Sequence, residues 1–213
     1  MESVSNIFRR SLLLIAGIFI IGIGVALSIR SDLGITPITC PPLVFSLKFP
    51  AITVGQFTIM MHFLFVGIQI ALLRKNFEKK QLIQLVLAFL FGYFIDFGML
   101  ITQTLIPTNY LQQLLLMVAG VIVTAIGVVM EVRANLIFIA GEGLMMAISQ
   151  VSRHPYDRVK IWVDCSLLVI AIVFSLWFFQ RIEGIREGTV INALGVGWVM
   201  IIINKLFPEK KVQ

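Results

Sequence analysis

The sequence is short of charge. Only 13% of its 213 residues are Asp, Glu, Lys or Arg, about half of the roughly 25% found in soluble globular domains. That deficit excludes a solvated surface of ordinary size. Cysteine is scarce too. Cys40 and Cys165 sit alone among apolar residues, in no CxxC pair and near no histidine-ligand spacing. Isolated cysteines of this kind are small buried hydrophobes, so no disulfide framework or thiolate metal site is expected. The two histidines, His62 and His154, fall in different segments and make no metal cluster. HExxH, GxSxG, the P-loop and the glycine-rich dinucleotide fingerprint are all missing. No enzyme, cofactor or metal is expected.

What is present is apolar sequence. Hydrophobic residues make up 59% of the chain, and the mean hydropathy is +0.99. Six windows, 12–29, 54–73, 81–104, 111–131, 161–179 and 189–207, are long and apolar enough to cross a bilayer. In lipid each must be a helix, because the backbone finds no partner outside itself. The first window has 18 residues, longer than the roughly 7–15 of a signal-peptide core, and is read as a retained span. No polar stretch is long enough for a second domain, so residues 1–213 are expected to form one membrane domain.

Two further apolar pieces look broken. Segment 33–49 carries Pro37, Pro41 and Pro42, and segment 136–150 carries Gly141 and Gly143 around Glu142. Proline removes a helix donor and clashes with the preceding turn. Both pieces are read as re-entrant or interfacial. Orientation follows from Lys and Arg. With six spans and the N-terminus inside, thirteen of the seventeen basic residues are cytoplasmic, Lys210 and Lys211 among them. Only Arg30, Lys48, Arg181 and Arg186 lie outside. If the broken pieces crossed fully, the split would approach nine to eight, with no bias. Both termini are therefore expected inside, and the net charge of +6 is a topology signal that needs no nucleic acid.

The chain resembles itself. Shifted by 103 residues, 12–33 falls on 115–136 with 9 identities in 22, including Gly17/Gly120, Gly24/Gly127 and Arg30/Arg133. Each unit, about 10–104 and about 113–207, reads as span, broken piece, span, span. Three spans is an odd number, so the second unit enters from the opposite side. The fold class expected is an all-α polytopic membrane protein: six transmembrane helices in two inverted three-span repeats, each with a re-entrant segment. That construction is frequent in secondary transporters. Gly17 and Gly24 are two turns apart on one helix face, as are Gly120 and Gly127, and small residues there let helices pack closely.

Polar residues inside spans are the exceptions that carry information. An Asp at a helix centre costs about 2.5–3.5 kcal/mol on insertion scales. Asp96 lies in GYFIDFGM and His62 in IMMHFLF; the two can pair across adjacent helices and pass protons. Glu142 stands between two glycines, and Asp164 follows Lys160 at i,i+4, where a simple ion pair also accounts for it. Thr189 ends the motif GIREGT, whose Glu187 and Gly188 suit a helix start, and Asn192 follows it. Asp96, His62, Glu142, Asp164, Thr189 and Asn192 are the candidate solute or ion pathway, with Asp96 and Glu142 expected to face one cavity.

The motifs GIGVALSIRSDLGITP, TVGQ, GYFIDFGM, GEGLMMAIS, KIWVD and GIREGTVINALGVG, in that order, resemble the YczE/YyaS/YitT family of bacterial membrane proteins. The chain departs from the family at Thr36-Pro37-Ile38, where members often have Pro-Trp-Asp. It departs again at 140–144, where some resemble GPRDGLM. The resemblance implies a multi-pass protein of the bacterial inner membrane and names no substrate. The function expected is a small-solute permease or exporter. The alternatives are a non-transporting partner that regulates or scaffolds another protein, and a substrate-capturing subunit of a larger transporter. The partners expected are the bilayer and a small solute, with a homodimer left open.

Overall fold

Apolar runs become helices wherever they are long enough. The computed structural model describes residues 4–207; Lys210 and Lys211, two of the basic residues counted inside, lie outside the described residues. Among the described residues there are eight α-helices and no strand: α1 Val4–Arg30, α2 Cys40–Lys48, α3 Val54–Leu73, α4 Ile83–Ile101, α5 Tyr110–Ala134, α6 Ala140–Ser152, α7 Tyr156–Phe179 and α8 Glu187–Leu206. All but α2 and α6 are long and apolar enough to cross a membrane, and they coincide with the six expected spans. Their outward faces carry Leu64, Tyr93, Leu115, Trp177 and Trp198, all exposed. A continuous surface of that kind is covered by lipid in the native setting. The architecture is that of a multi-pass membrane protein.

The prolines of 33–49 act differently from the sequence expectation. They start helices rather than break them. Pro37 opens a short 3-10 turn, Pro37–Thr39. Pro41 and Pro42 occupy the first turn of α2, where backbone N–H groups have no intrahelical partner anyway. Helix α2 has 9 residues and α6 has 13. At about 1.5 Å per residue neither spans a hydrocarbon core of about 30 Å.

Helix α1 is the most buried of the six long helices, and α5 is its main neighbour. The two run antiparallel with their backbones in contact. A Cβ on Gly17 would come 2.9 Å from the Gly127 carbonyl oxygen, and one on Gly24 would come 3.0 Å from that of Gly120. The converse contacts, Gly127 to Gly17 and Gly120 to Gly24, are 2.7 and 2.9 Å. Glycine at all four places is a condition of this crossing. Arg10 ties the same pair at one end, donating from Nε to the Ala134 carbonyl at 2.8 Å.

Helix α3 begins in a capping box. Thr53 Oγ1 accepts from the Gln56 N–H at 3.1 Å, and the Thr53 N–H donates to Gln56 Oε1 at 3.0 Å. The start of α6 is held from the side: Gln69 Nε2 donates to Gln84 Oε1 at 3.0 Å and to the Ala140 carbonyl at 3.1 Å. Helices α7 and α8 are the least buried of the long helices. α7 packs on α2 and α6, and α8 on α5. The α3–α4 pairing has no comparable counterpart between α7 and α8.

Candidate functional site

A cavity of about 480 Å³ lies where α5, α6, α7 and α8 converge. Each helix turns one stripe toward it. Helix α7 contributes Tyr156, Lys160 and Asp164, four residues apart and so stacked on one face. Helix α8 contributes Asn192, Val196 and Met200 at the same spacing. Helix α5 supplies Thr124, Val128 and Glu131, and the first turns of α6 supply Glu142 and Met145. Ile21 and Val25 of α1, His62 of α3 and Phe91 of α4 form the remaining wall, with Thr36 and Thr39 from the segment before α2. Lys160 has a side chain half exposed, so the cavity reaches solvent near the start of α7.

The polar groups fall into three sets. Lys160 Nζ and Asp164 Oδ2 are 3.2 Å apart and pair. The carboxyl groups of Glu131 and Glu142 lie side by side, close enough to interact directly. Glu131 also accepts from the Ile139 N–H at 3.0 Å, at the N-terminal edge of α6. The third set is unsatisfied. His62 and Asn192 are fully buried, and His62 Nδ1, Asn192 Oδ1 and Glu142 Oε2 have no hydrogen-bond partner in the protein. His62 stacks on Phe91 with ring centroids 5.5 Å apart. Asn192 Nδ2 is held by Ser28 Oγ and the Met117 sulfur, each at 3.2 Å, which leaves its oxygen as the free end.

The cavity therefore brings together four of the six residues singled out from the sequence: His62, Glu142, Asp164 and Asn192. Asp96 does not join them. Its carboxylate accepts from Thr53 Oγ1 at 2.6 Å and from the Gly55 N–H at 2.9 Å, so it anchors the first turn of α3. The His62–Asp96 pair is not formed, because both Asp96 oxygens are taken about two turns or more away from His62 along α3. Thr189 is buried in the first turn of α8, its N–H bonded to the Arg186 carbonyl at 2.9 Å, and it is not part of the cavity wall. Sequence reasoning passed over Glu131. It stood at the end of a span beside Arg133 and read as a helix end. A signal was present, since the internal alignment sets this acid against Ser28, which still lies inside the first apolar window.

With three carboxyl groups and one lysine that is already paired, the site is suited to positive charge. Among the described residues no group of three or more His, Cys, Asp or Glu side chains is arranged to hold a metal ion.

Residues 8–205 match the model of a family of unknown function, DUF6198. The chain is also 26% identical over 160 residues to the uncharacterized protein YyaS of Bacillus subtilis (strain 168), covering 75% of this chain and 78% of that one. No solved structure matches it. The family match covers nearly the whole described length, so the chain belongs to DUF6198, a YyaS-like family.

Proposed function

We propose that this protein is a small-solute permease of the secondary-transporter type, working without enzymatic chemistry in a bacterial inner membrane. The observation that carries the reading is the cavity. About 480 Å³ of space lined by His62, Glu131, Glu142, Asp164 and Asn192 stands inside a bundle whose other faces are apolar. Burying that many polar groups opposes insertion, and a purely structural bundle has no need of them.

Several contacts support an inverted repeat as the scaffold. Shifted by 103 residues, the Gly17–Gly127 contact becomes the Gly120–Gly24 contact. Ile38 becomes Gly141, the residue it packs against. The left-handed Asp32 (φ 55°) becomes the left-handed Asn135 (φ 46°). Arg30 donates to the Met99 carbonyl and Arg133 to the Phe207 carbonyl, each at the end of its own unit's third span. Short α2 and α6 then correspond as re-entrant segments, with Ile38, ahead of α2, packed on Gly141 in the first turn of α6. With the N-terminus inside, as the basic residues favour, the cavity opens to the cytoplasm. Phe45, Phe57, Phe174 and Phe178, with ring centroids 4.8–5.7 Å apart, close the opposite end. Exchange of the two units' tilts is the route to an outward-open state.

Purified protein in liposomes tests this against a panel of labelled metabolites and drugs. The expected result is uptake that saturates with solute and exceeds that of protein-free liposomes. No flux of any class, from protein whose thermal unfolding is cooperative, would remove the reading.

A further inference from the structure

Every charged or titratable group facing the cavity can be assigned to an element. Helix α5 brings Glu131, α6 brings Glu142, α7 brings Tyr156, Lys160 and Asp164, and α3 brings His62. Helices α1, α4 and α8 bring only uncharged residues. Lys160 is neutralised by Asp164 at 3.2 Å. What remains is two adjacent carboxyl groups that share the charge of one cavity lysine, Lys160, itself already paired with Asp164. Two carboxylates brought side by side repel each other, and either a proton or a cation between them relieves the repulsion. Independently, His62 Nδ1 and Asn192 Oδ1 are unpartnered on fully buried side chains of the same wall. Both atoms stand at the cavity wall without a partner in the protein, the position of groups that a ligand completes.

We infer that Glu131 and Glu142 form an exchange site that holds either one proton or one organic cation, so that an ammonium-type solute entering the cavity releases a proton. The inference rests on the permease reading and names its substrate class. The remaining wall selects an organic cation over a metal ion. Phe91, Phe138, Met145, Met146 and Val196 are apolar, and no ligand trio stands among the described residues. Aromatic faces and soft sulfur suit an alkylammonium group, which needs no rigid oxygen shell. Charge balances at each exchange: the cation brings one positive charge, and the shared proton leaves to water.

Benzyltrimethylammonium is the probe, because a quaternary ammonium has no proton of its own to release. Binding to the protein in lipid nanodiscs is measured by calorimetry from about pH 5 to about pH 9, a range wide enough to follow proton release on both sides of neutrality. Benzoate serves as the anion of matching size. The expected result is one proton released per cation bound, measured in weakly buffered solution with a pH indicator. Kd should weaken about tenfold per pH unit on acidification wherever the pair is protonated. Benzoate should not bind. Glu142→Gln and Glu131→Gln, which keep shape and hydrogen-bonding capacity, should each abolish proton release and weaken binding at least about tenfold, the loss of a direct charge contact. The wild-type pH series stands even if a variant fails to fold. Absence of cation binding throughout, binding without proton release, or benzoate binding in its place overturns the inference. Cation binding with proton release but no liposome flux keeps the site and removes the permease. Flux of a neutral or anionic solute without cation binding does the reverse.

Discussion

Asp96 holds a hydroxyl and a backbone N–H at the start of a neighbouring helix, at 2.6 and 2.9 Å. Replacing it by Ala leaves both donors unanswered, at a cost of about 1–2 kcal/mol for partly exposed groups. Replacement by Asn, which retains one acceptor, costs less. Detergent unfolding temperatures should therefore fall in the order wild type, Asp96→Asn, Asp96→Ala. Transport per folded molecule should stay near that of the parent for the Asn variant. A stable Asp96→Asn protein with no transport would place this carboxylate in the pathway after all. The sequence displays the cost of such a group and conceals what repays it. Glu142 and Asp164 were legible because each sits in an apolar stretch that offers no exposed surface. The partners of Asp96, Thr53 and Gly55, lie 41–43 residues away and appear only once α3 and α4 pack. Glu131 was hidden for the opposite reason: Arg133, two residues on, makes the end of α5 look like an ordinary solvated terminus, although the Glu131 side chain turns inward to the Ile139 N–H.

Among the elements, the α1–α5 crossing is the most sensitive to size. Gly127→Val would drive its side chain into the Gly17 carbonyl and Ile21, both within 2.8 Å of a bare Cβ. Overpacking at so rigid a contact costs about 1–3 kcal/mol, so the unfolding temperature should drop. Gly67 is the internal control. A Cβ there meets nothing within 4 Å, and Gly67→Ala in mid-helix should be neutral or stabilising by up to about 1 kcal/mol. Equal responses of the two variants would show that the glycines are not packing devices. The long helices were readable because lipid enforces both length and composition. The short ones were legible as interruptions and not as helices. Prolines at 41 and 42 announce an interruption, and only the turn preceding them reveals whether they end one helix or begin the next.

At the scale of the molecule, topology has a direct measurement. A single cysteine at Asn109, before α5, should react with an impermeant thiol reagent applied to intact cells, and one at Asn76, between α3 and α4, should not; Cys40 is buried, so Cys165 is the native thiol to control for. Reversed labelling would invert the whole assignment, and the cavity mouth with it. An experimental structure should superpose residues 12–104 on 115–207 by a rotation near two-fold about an axis in the membrane plane. An axis along the membrane normal would mean that α2 and α6 belong to full crossings.

Helices α7 and α8 both line the cavity yet do not pack on each other as α3 and α4 do. The seam between them must be filled by whatever surrounds the protein, and in a bilayer that is acyl chain. Part of the cavity wall is then made of solvent rather than of polypeptide. An amphiphile dissolved in the leaflet can slip in edgewise without first crossing into water. The affinity of the proposed cation site would then depend on the host lipid. Measured binding should shift between short-chain and long-chain nanodiscs, and between bilayer and micelle, with no change in the amino-acid sequence.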